Sequence, residues 1–186
     1  MTSDDPRLDL FQSFADERGL TIAVGLPLKG ESGVEIGQVW FQPGSPRETY
    51  SKMLLHADEL PYFRCGTRQV LIRHSGQVLA PAICYESLQP AHAEAAARAG
   101  ADVYLASVAK SAGGVERAFV HYPAIARQHG MAVLIANAVG ACDNFVAAGR
   151  SAIWSPLGEL MAQLDADGQG VLVFDTKTGA AERTTW

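Results

Sequence analysis

The chain has 186 residues, enough for one domain with a core that needs no disulfide or metal staples, since a chain of this length buries roughly 70% of its unfolded surface. A formal net charge of −5, from 15 Lys and Arg against 20 Asp and Glu with no basic run, gives no electrostatic reason to expect nucleic acid. No apolar run reaches the length of a membrane span, Met1-Thr-Ser-Asp-Asp-Pro-Arg7 lacks the basic and apolar regions of a secretion signal, and three cysteines at unrelated spacings make no disulfide framework, so a cytoplasmic chain with no membrane contact is expected.

Pro6 to Arg18 reads as a helix, because Leu8, Phe11 and Ala15, with Phe14 beside them, form an apolar stripe that stops at Gly19. Thr21 to Leu26 reads as a strand, and Gly25 to Gly33 as its end and a loop. Val34 to Phe41 alternates as a second strand, closed by the turn Pro43-Gly-Ser-Pro46. Thr49 to Leu55 is extended, and Gln69 to Arg73 with Gln77 to Ile83 predict a hairpin around His74-Ser75-Gly76, although Pro81 cannot donate to a ladder.

The stretch Leu79-Ala-Pro-Ala-Ile-Cys-Tyr-Glu-Ser-Leu88 then places one thiol where an apolar strand gives way to a helix. That helix has Pro90 in its first turn, continues through Ala91, Ala93, Ala95, Ala96 and Ala97, and is closed by Gly100. Cys84 sits in the bend. The positive end of a helix dipole favours the thiolate, the nucleophilic form of cysteine, whereas most free cysteines are small buried hydrophobes.

Beyond it, Val103 to Ala109 is a strand, Val115 to His129 a helix interrupted near Pro123, and Ala132 to Val139 a strand. Ser151 to Pro156, Leu160 to Leu164 and Val171 to Thr176 read as three strands joined by turns at Leu157-Gly158 and Asp165-Ala-Asp-Gly168. The alternation predicts an α/β chain with strands layered against helices. His121 and His129 are eight residues apart and His92 and Glu94 two, so neither pair has the spacing of a helical zinc site. Gly25 to Gly30 is followed by Glu31-Ser32 without the lysine of a phosphate loop.

Several motifs occur in a fixed order: Tyr50-Ser-Lys-Met-Leu-Leu-His56; Glu59 with Phe63 and Gly66; Ile83-Cys-Tyr-Glu86; Ala136-Asn-Ala-Val-Gly140; Gly149-Arg-Ser151; and Ser155-Pro-Leu-Gly158. Together they resemble the nitrilase superfamily of carbon-nitrogen hydrolases over nearly the whole chain. The resemblance implies a single domain over 1–186 with an αββα sandwich fold, and a site of Glu, Lys and Cys that works without metal or cofactor. Cys84 matches the cysteine that attacks an amide or nitrile carbon. Lys52 matches the lysine, whose ammonium would stabilise the oxyanion, and Glu59 matches a second glutamate that would orient Lys52 and the substrate. Tyr85 could offer its backbone N–H to the oxyanion. Glu86 stands beside the substrate or caps backbone N–H groups of the following helix, and Ser107 points a hydroxyl into the pocket or is a satisfied core serine.

The same resemblance places a general-base glutamate near the end of an early strand, before a helix equivalent to Pro6–Arg18. A chain truncated at its N-terminus relative to the family, without that strand and base, is therefore expected. Gln128 stands where the family often has glutamate. Tyr85 stands where nitrilases proper usually show tryptophan, which favours an amide over a nitrile. The expected activity is a thiol-dependent amidohydrolase that cleaves a non-peptide carbon-nitrogen bond of a small-molecule amide through a Cys84 thioacyl intermediate, in a homodimer. The alternative is a catalytically silent protein of the same fold that acts in self-association or partner binding.

Overall fold

In the computed structural model, which describes residues 1–186, the first helix opens as a single 3-10 turn over Pro6–Leu8 and continues as α1, Asp9–Arg18. The Asp5 carboxylate accepts from the Arg7 backbone N–H at 3.0 Å, and Gly19 takes the left-handed conformation that ends the helix. Beside α1 lies an antiparallel sheet of β1 (Ile22–Lys29), β2 (Val34–Phe41) and β3 (Glu48–Ser51), in that order. Leu8 and Ala15 of the helical segment pack with Leu28, Val39 and Phe41 of the sheet. Phe14, placed beside the stripe by the sequence, is instead 44% exposed. β1 runs through the stretch read as its loop, and Pro27 is accommodated because this is the sheet's edge strand. The Pro27 carbonyl accepts from the Met1 ammonium on the outer side, so its ring nitrogen also faces away from β2. These elements form one compact unit, Met1–Val70.

The second compact unit, Leu71–Trp186, is built on a six-stranded sheet. It contains β4 (Ile72–His74), β5 (Gln77–Ile83), β6 (Val103–Val108) and β7 (Ala132–Asn137), followed beyond a hairpin of β8 (Val139–Cys142) and β9 (Phe145–Ala148) by β10 (Ala152–Trp154) and β11 (Leu160–Gln163). The order across the sheet is β11-β10-β7-β6-β5-β4, with β5, β6 and β7 parallel. Pro81 fits because β4 pairs only with Gln77 to Leu79, so no ladder bond is needed on that flank at Pro81. The helices α2 (Pro90–Arg98) and α3 (Ala112–His129) share one core with the sheet face made of Ala80, Ala82, Tyr104, Ala106, Val133 and Ile135.

α3 is continuous through Pro123, where the sequence predicted an interruption. Proline removes one ladder bond, but buried Tyr122, Ile125 and Ala126 and the edge-on stacking of Phe119 on Trp154 hold both sides of the helix to the core. Gly158 is required here: a Cβ on it would lie 2.4 Å from the Pro123 carbonyl oxygen. The predicted strand from Ala132 to Val139 ends at Asn137. Val139–Cys142 (β8) pairs instead with Phe145–Ala148 (β9) in a separate hairpin whose turn residue Asp143 has φ +50°. The tail adds β12 (Gly170–Phe174) and a partner the sequence did not reveal, β13 (Ala181–Thr185). No helix is long and apolar enough to cross a membrane.

Candidate active site

β5 carries its last residue, Ile83, into register with Ser107 of β6, and the chain then turns sharply into a 3-10 segment over Cys84–Leu88 before α2 begins at Pro90. Cys84 has φ +49°, in the left-handed region that a side chain with a Cβ rarely adopts. A non-glycine residue held there costs of order 1–3 kcal/mol and persists only where its surroundings over-determine it. The half-buried thiol lies 3.8 Å from the Ala109 carbonyl oxygen at the end of β6.

The surroundings that fix the bend are polar and buried. Glu86 is 0% exposed, and one carboxylate oxygen accepts from the Ile83 N–H at 2.8 Å. Its other oxygen is 3.8 Å from His92 Nε2, and His92 Nδ1 is 2.7 Å from the Tyr104 hydroxyl. Ser87 donates to the Cys84 carbonyl at 2.6 Å and lies 2.7 Å from the Tyr122 hydroxyl. Burial pushes the Tyr104 and Tyr122 phenols well above their ordinary range, so both remain neutral.

Burial also pushes His92 down, with the Glu86 charge partly opposing it. His121 is lowered first by burial, against which its bond to the Ser87 carbonyl works, while the Lys110 charge adds to the lowering. An unfolded histidine takes its proton near 6.5, whereas these two stay neutral to lower pH. Below about that value the unfolded state binds more protons, so stability present above pH 6.5 is lost as pH falls through the lowered folded values. The melting temperature is expected to fall between pH 7 and 5, and less steeply in His92→Gln. An equal slope in that variant would remove His92 from the account.

Of the other residues singled out in the sequence, Tyr85 is 38% exposed and Ser107 is exposed rather than in the core. Cys84, Tyr85, Glu86 and Ser107 thus gather at the C-terminal ends of β5 and β6. Lys52 and Glu59 belong to the first unit. Lys52 is 0% exposed, follows β3 directly, and its Nζ lies 2.6 Å from both oxygens of Glu59. Glu59 also accepts from the His56 N–H at 2.7 Å. Gly66 closes this corner: its N–H donates to the Lys52 carbonyl at 2.8 Å, and its missing Cβ lets the chain pass against Ser51.

Three features were not legible in advance. No local pattern marks the buried contact of His92 with Tyr104, nor the burial of Lys110, which is only 6% exposed just beyond β6. The Asn137 motif is a clamp: its side chain accepts from the Lys110 N–H at 2.8 Å and donates to the Lys110 and Gly149 carbonyls, while its own N–H donates to Ser151 Oγ at 3.0 Å. It ties the chain beyond β6 to the exit of the β8–β9 hairpin.

No curated protein sequence matches the chain. Among solved structures it is similar to the NitN amidase from Nesterenkonia sp. AN1, with a TM-score of 0.79 and 22% identity over 90% of this chain and 68% of that one. The same TM-score, identity and 90% cover hold for two variants of that amidase. One is a cysteine-to-alanine variant in complex with butyramide, of which 66% is covered. The other is a glutamate-to-glutamine variant showing Michael addition of acrylamide at the active site cysteine, of which 68% is covered. The chain therefore spans about two thirds of their length, and at this identity the likeness shows the fold, an α/β fold of the nitrilase type. The carbon-nitrogen hydrolase model matches residues 2–184, and the chain belongs to that family.

Proposed function

We propose that the chain is a thiol-dependent amidohydrolase acting on a small, non-peptide amide, with Cys84 as nucleophile. The observation that carries this reading is the strained left-handed backbone of Cys84 at the end of a parallel strand, in a chain of the carbon-nitrogen hydrolase family. Cys84 sulfur attacks the amide carbon and the C–S bond forms as the carbonyl electrons move onto oxygen. The Lys52 ammonium and the Tyr85 backbone N–H stabilise that oxyanion. Its collapse breaks the C–N bond, and ammonia or an amine leaves with a proton. Water then attacks the thioester, releasing the carboxylic acid and returning the thiol.

Glu59, paired with Lys52, orients that ammonium and the substrate, while the thiol proton departs with the amine and the hydrolytic water supplies the proton that restores the thiol. Tyr85 and Ser107 line the substrate in this reading. Glu86, buried and bound to Ile83, holds the bend. The bound butyramide of the related amidase supports an aliphatic amide as the substrate class. The test is ammonia release from a panel of simple amides including butyramide. Turnover that disappears in Cys84→Ala is the expected result, and turnover that survives it, or none from the unaltered chain, contradicts the reading.

We also propose self-association. Val171 and Val173 on β12 and Leu160 and Met161 on β11 are exposed apolar residues, and apolar surface on strands is covered readily by a second copy. Light scattering at micromolar concentration is expected to give a dimer mass. A monodisperse monomer would contradict it.

A further inference from the structure

Two buried side chains hold the backbone around Cys84: Glu86 takes the Ile83 N–H, in the peptide that enters Ile83, and Ser87 holds the Cys84 carbonyl, in the peptide that follows Cys84. The order of protons on the second arm follows from valence. A carbonyl only accepts, so the single hydroxyl proton of Ser87 is committed to Cys84. The Ser87 oxygen must then accept in its 2.7 Å contact with Tyr122, and Tyr122 is the donor. On the first arm, a neutral His92 with its Nε2–H turned toward Glu86 accepts at Nδ1 from Tyr104. A chain of directed hydrogen bonds from fully buried Tyr122 thus ends on the carbonyl of left-handed Cys84, while Glu86, with His92 3.8 Å away, holds the N–H of the residue before it.

We propose that Ser87 and Tyr122 are positioning residues for Cys84: the chain Tyr122 O–H to Ser87 O–H to Cys84 carbonyl, working against the Glu86 hold on Ile83, keeps Cys84 left-handed and so fixes the direction of its sulfur and of the N–H group that follows it. The proposal rests on the reading of Cys84 as the nucleophile and adds to it the groups that aim it. α3 thereby supplies the bend with a donor 35 residues away in sequence, which makes the seating of that helix a condition for acylation. The Glu86 hold alone does not suffice, because it fixes only the peptide that enters Ile83, whereas the oxyanion N–H of Tyr85 lies in the peptide that follows Cys84.

The discriminating readout compares two reactions of the same sulfur. Alkylation by iodoacetamide needs an accessible thiolate but no oxyanion contacts; acylation by p-nitrophenyl butyrate needs sulfur and N–H aligned on one carbonyl. Ser87→Ala and the gentler Tyr122→Phe are expected to slow acylation of Cys84 by roughly tenfold to a hundredfold, in line with a misplacement of about 1 Å, while alkylation changes by less than about threefold. Ser87→Thr, which restores the hydroxyl, should recover most of the acylation rate. Asp102→Ala serves as the control, since Asp102 caps the Val78 N–H at 2.8 Å at the opposite end of the same strands and should leave both rates unchanged. Equal losses in both reactions, or no loss, would overturn the positioning role alone. Absence of acylation at Cys84 in the unaltered chain would overturn the nucleophile itself and this proposal with it.

Discussion

Lys52→Met is expected to slow acylation of Cys84 by about a hundredfold or more while the fold survives. In the proposed mechanism Lys52 is an oxyanion donor, whose loss costs roughly 3 kcal/mol in the barrier, and methionine fills much of the space of the lysine stem. The stability effects should be asymmetric, because the two members of the ion pair are not equally buried: the lysine side chain is 0% exposed and the Glu59 side chain 22%. Removing the ammonium leaves a carboxylate that water reaches and that the His56 N–H still contacts, a cost of about 1–2 kcal/mol. Glu59→Gln instead leaves a fully buried cation without its counter-charge, for which about 3–5 kcal/mol is the usual penalty. Urea unfolding of the two variants measures the difference. An acylation rate unchanged in Lys52→Met would make the lysine purely structural, and a larger stability loss in Lys52→Met than in Glu59→Gln would contradict the burial argument.

Gly66→Ala is the second substitution with a large expected effect. An added Cβ would stand 2.2 Å from the Ser51 carbonyl oxygen and 2.7 Å from its carbonyl carbon, atoms of a strand backbone that cannot rotate away. The loop would be forced off β3, and the bond from the Gly66 N–H to the Lys52 carbonyl would stretch or break. Overpacking together with one lost hydrogen bond amounts to roughly 2–4 kcal/mol. Gly44→Ala is the comparison: φ is +61° but nothing lies within 4 Å of the new Cβ, so only the left-handed penalty of about 1–2 kcal/mol applies. Because Lys52 is one residue past Ser51, Gly66→Ala should also slow acylation, and Gly44→Ala should not. Comparable losses of stability in the two variants would refute the close-approach explanation.

What the sequence disclosed follows the range of the forces involved. The bend at Cys84 was legible because an apolar strand, Pro90 and an alanine run are local signals, and the core strands β5, β6 and β7 were legible because each is a short, mostly apolar run with one face buried against the helices. Pro123 misled because a proline reports the loss of a donor, while the packing around α3 decides whether the donor is missed. β13 escaped because Ala181-Glu-Arg-Thr-Thr185 is mostly exposed and carries no alternation. The polar groups behind Cys84 escaped because their contacts span 12 residues from His92 to Tyr104 and 35 from Ser87 to Tyr122, separations with no period. Lys52 and Glu59 were legible only through the family resemblance, since composition alone would leave a lysine on the surface.

The central claim, that Cys84 is the thiol built to react, is tested most directly by limiting acrylamide on the native chain, with adducts mapped by mass spectrometry before and after urea unfolding. Cys65 is exposed, Cys142 is half-buried like Cys84, and none of the three is in a disulfide, so exposure alone would favour Cys65. The account predicts that Cys84 is modified first in the folded chain, that Ser87→Ala leaves this order in place, and that the preference disappears on unfolding. Faster labelling of Cys65 or Cys142 in the folded chain would contradict it.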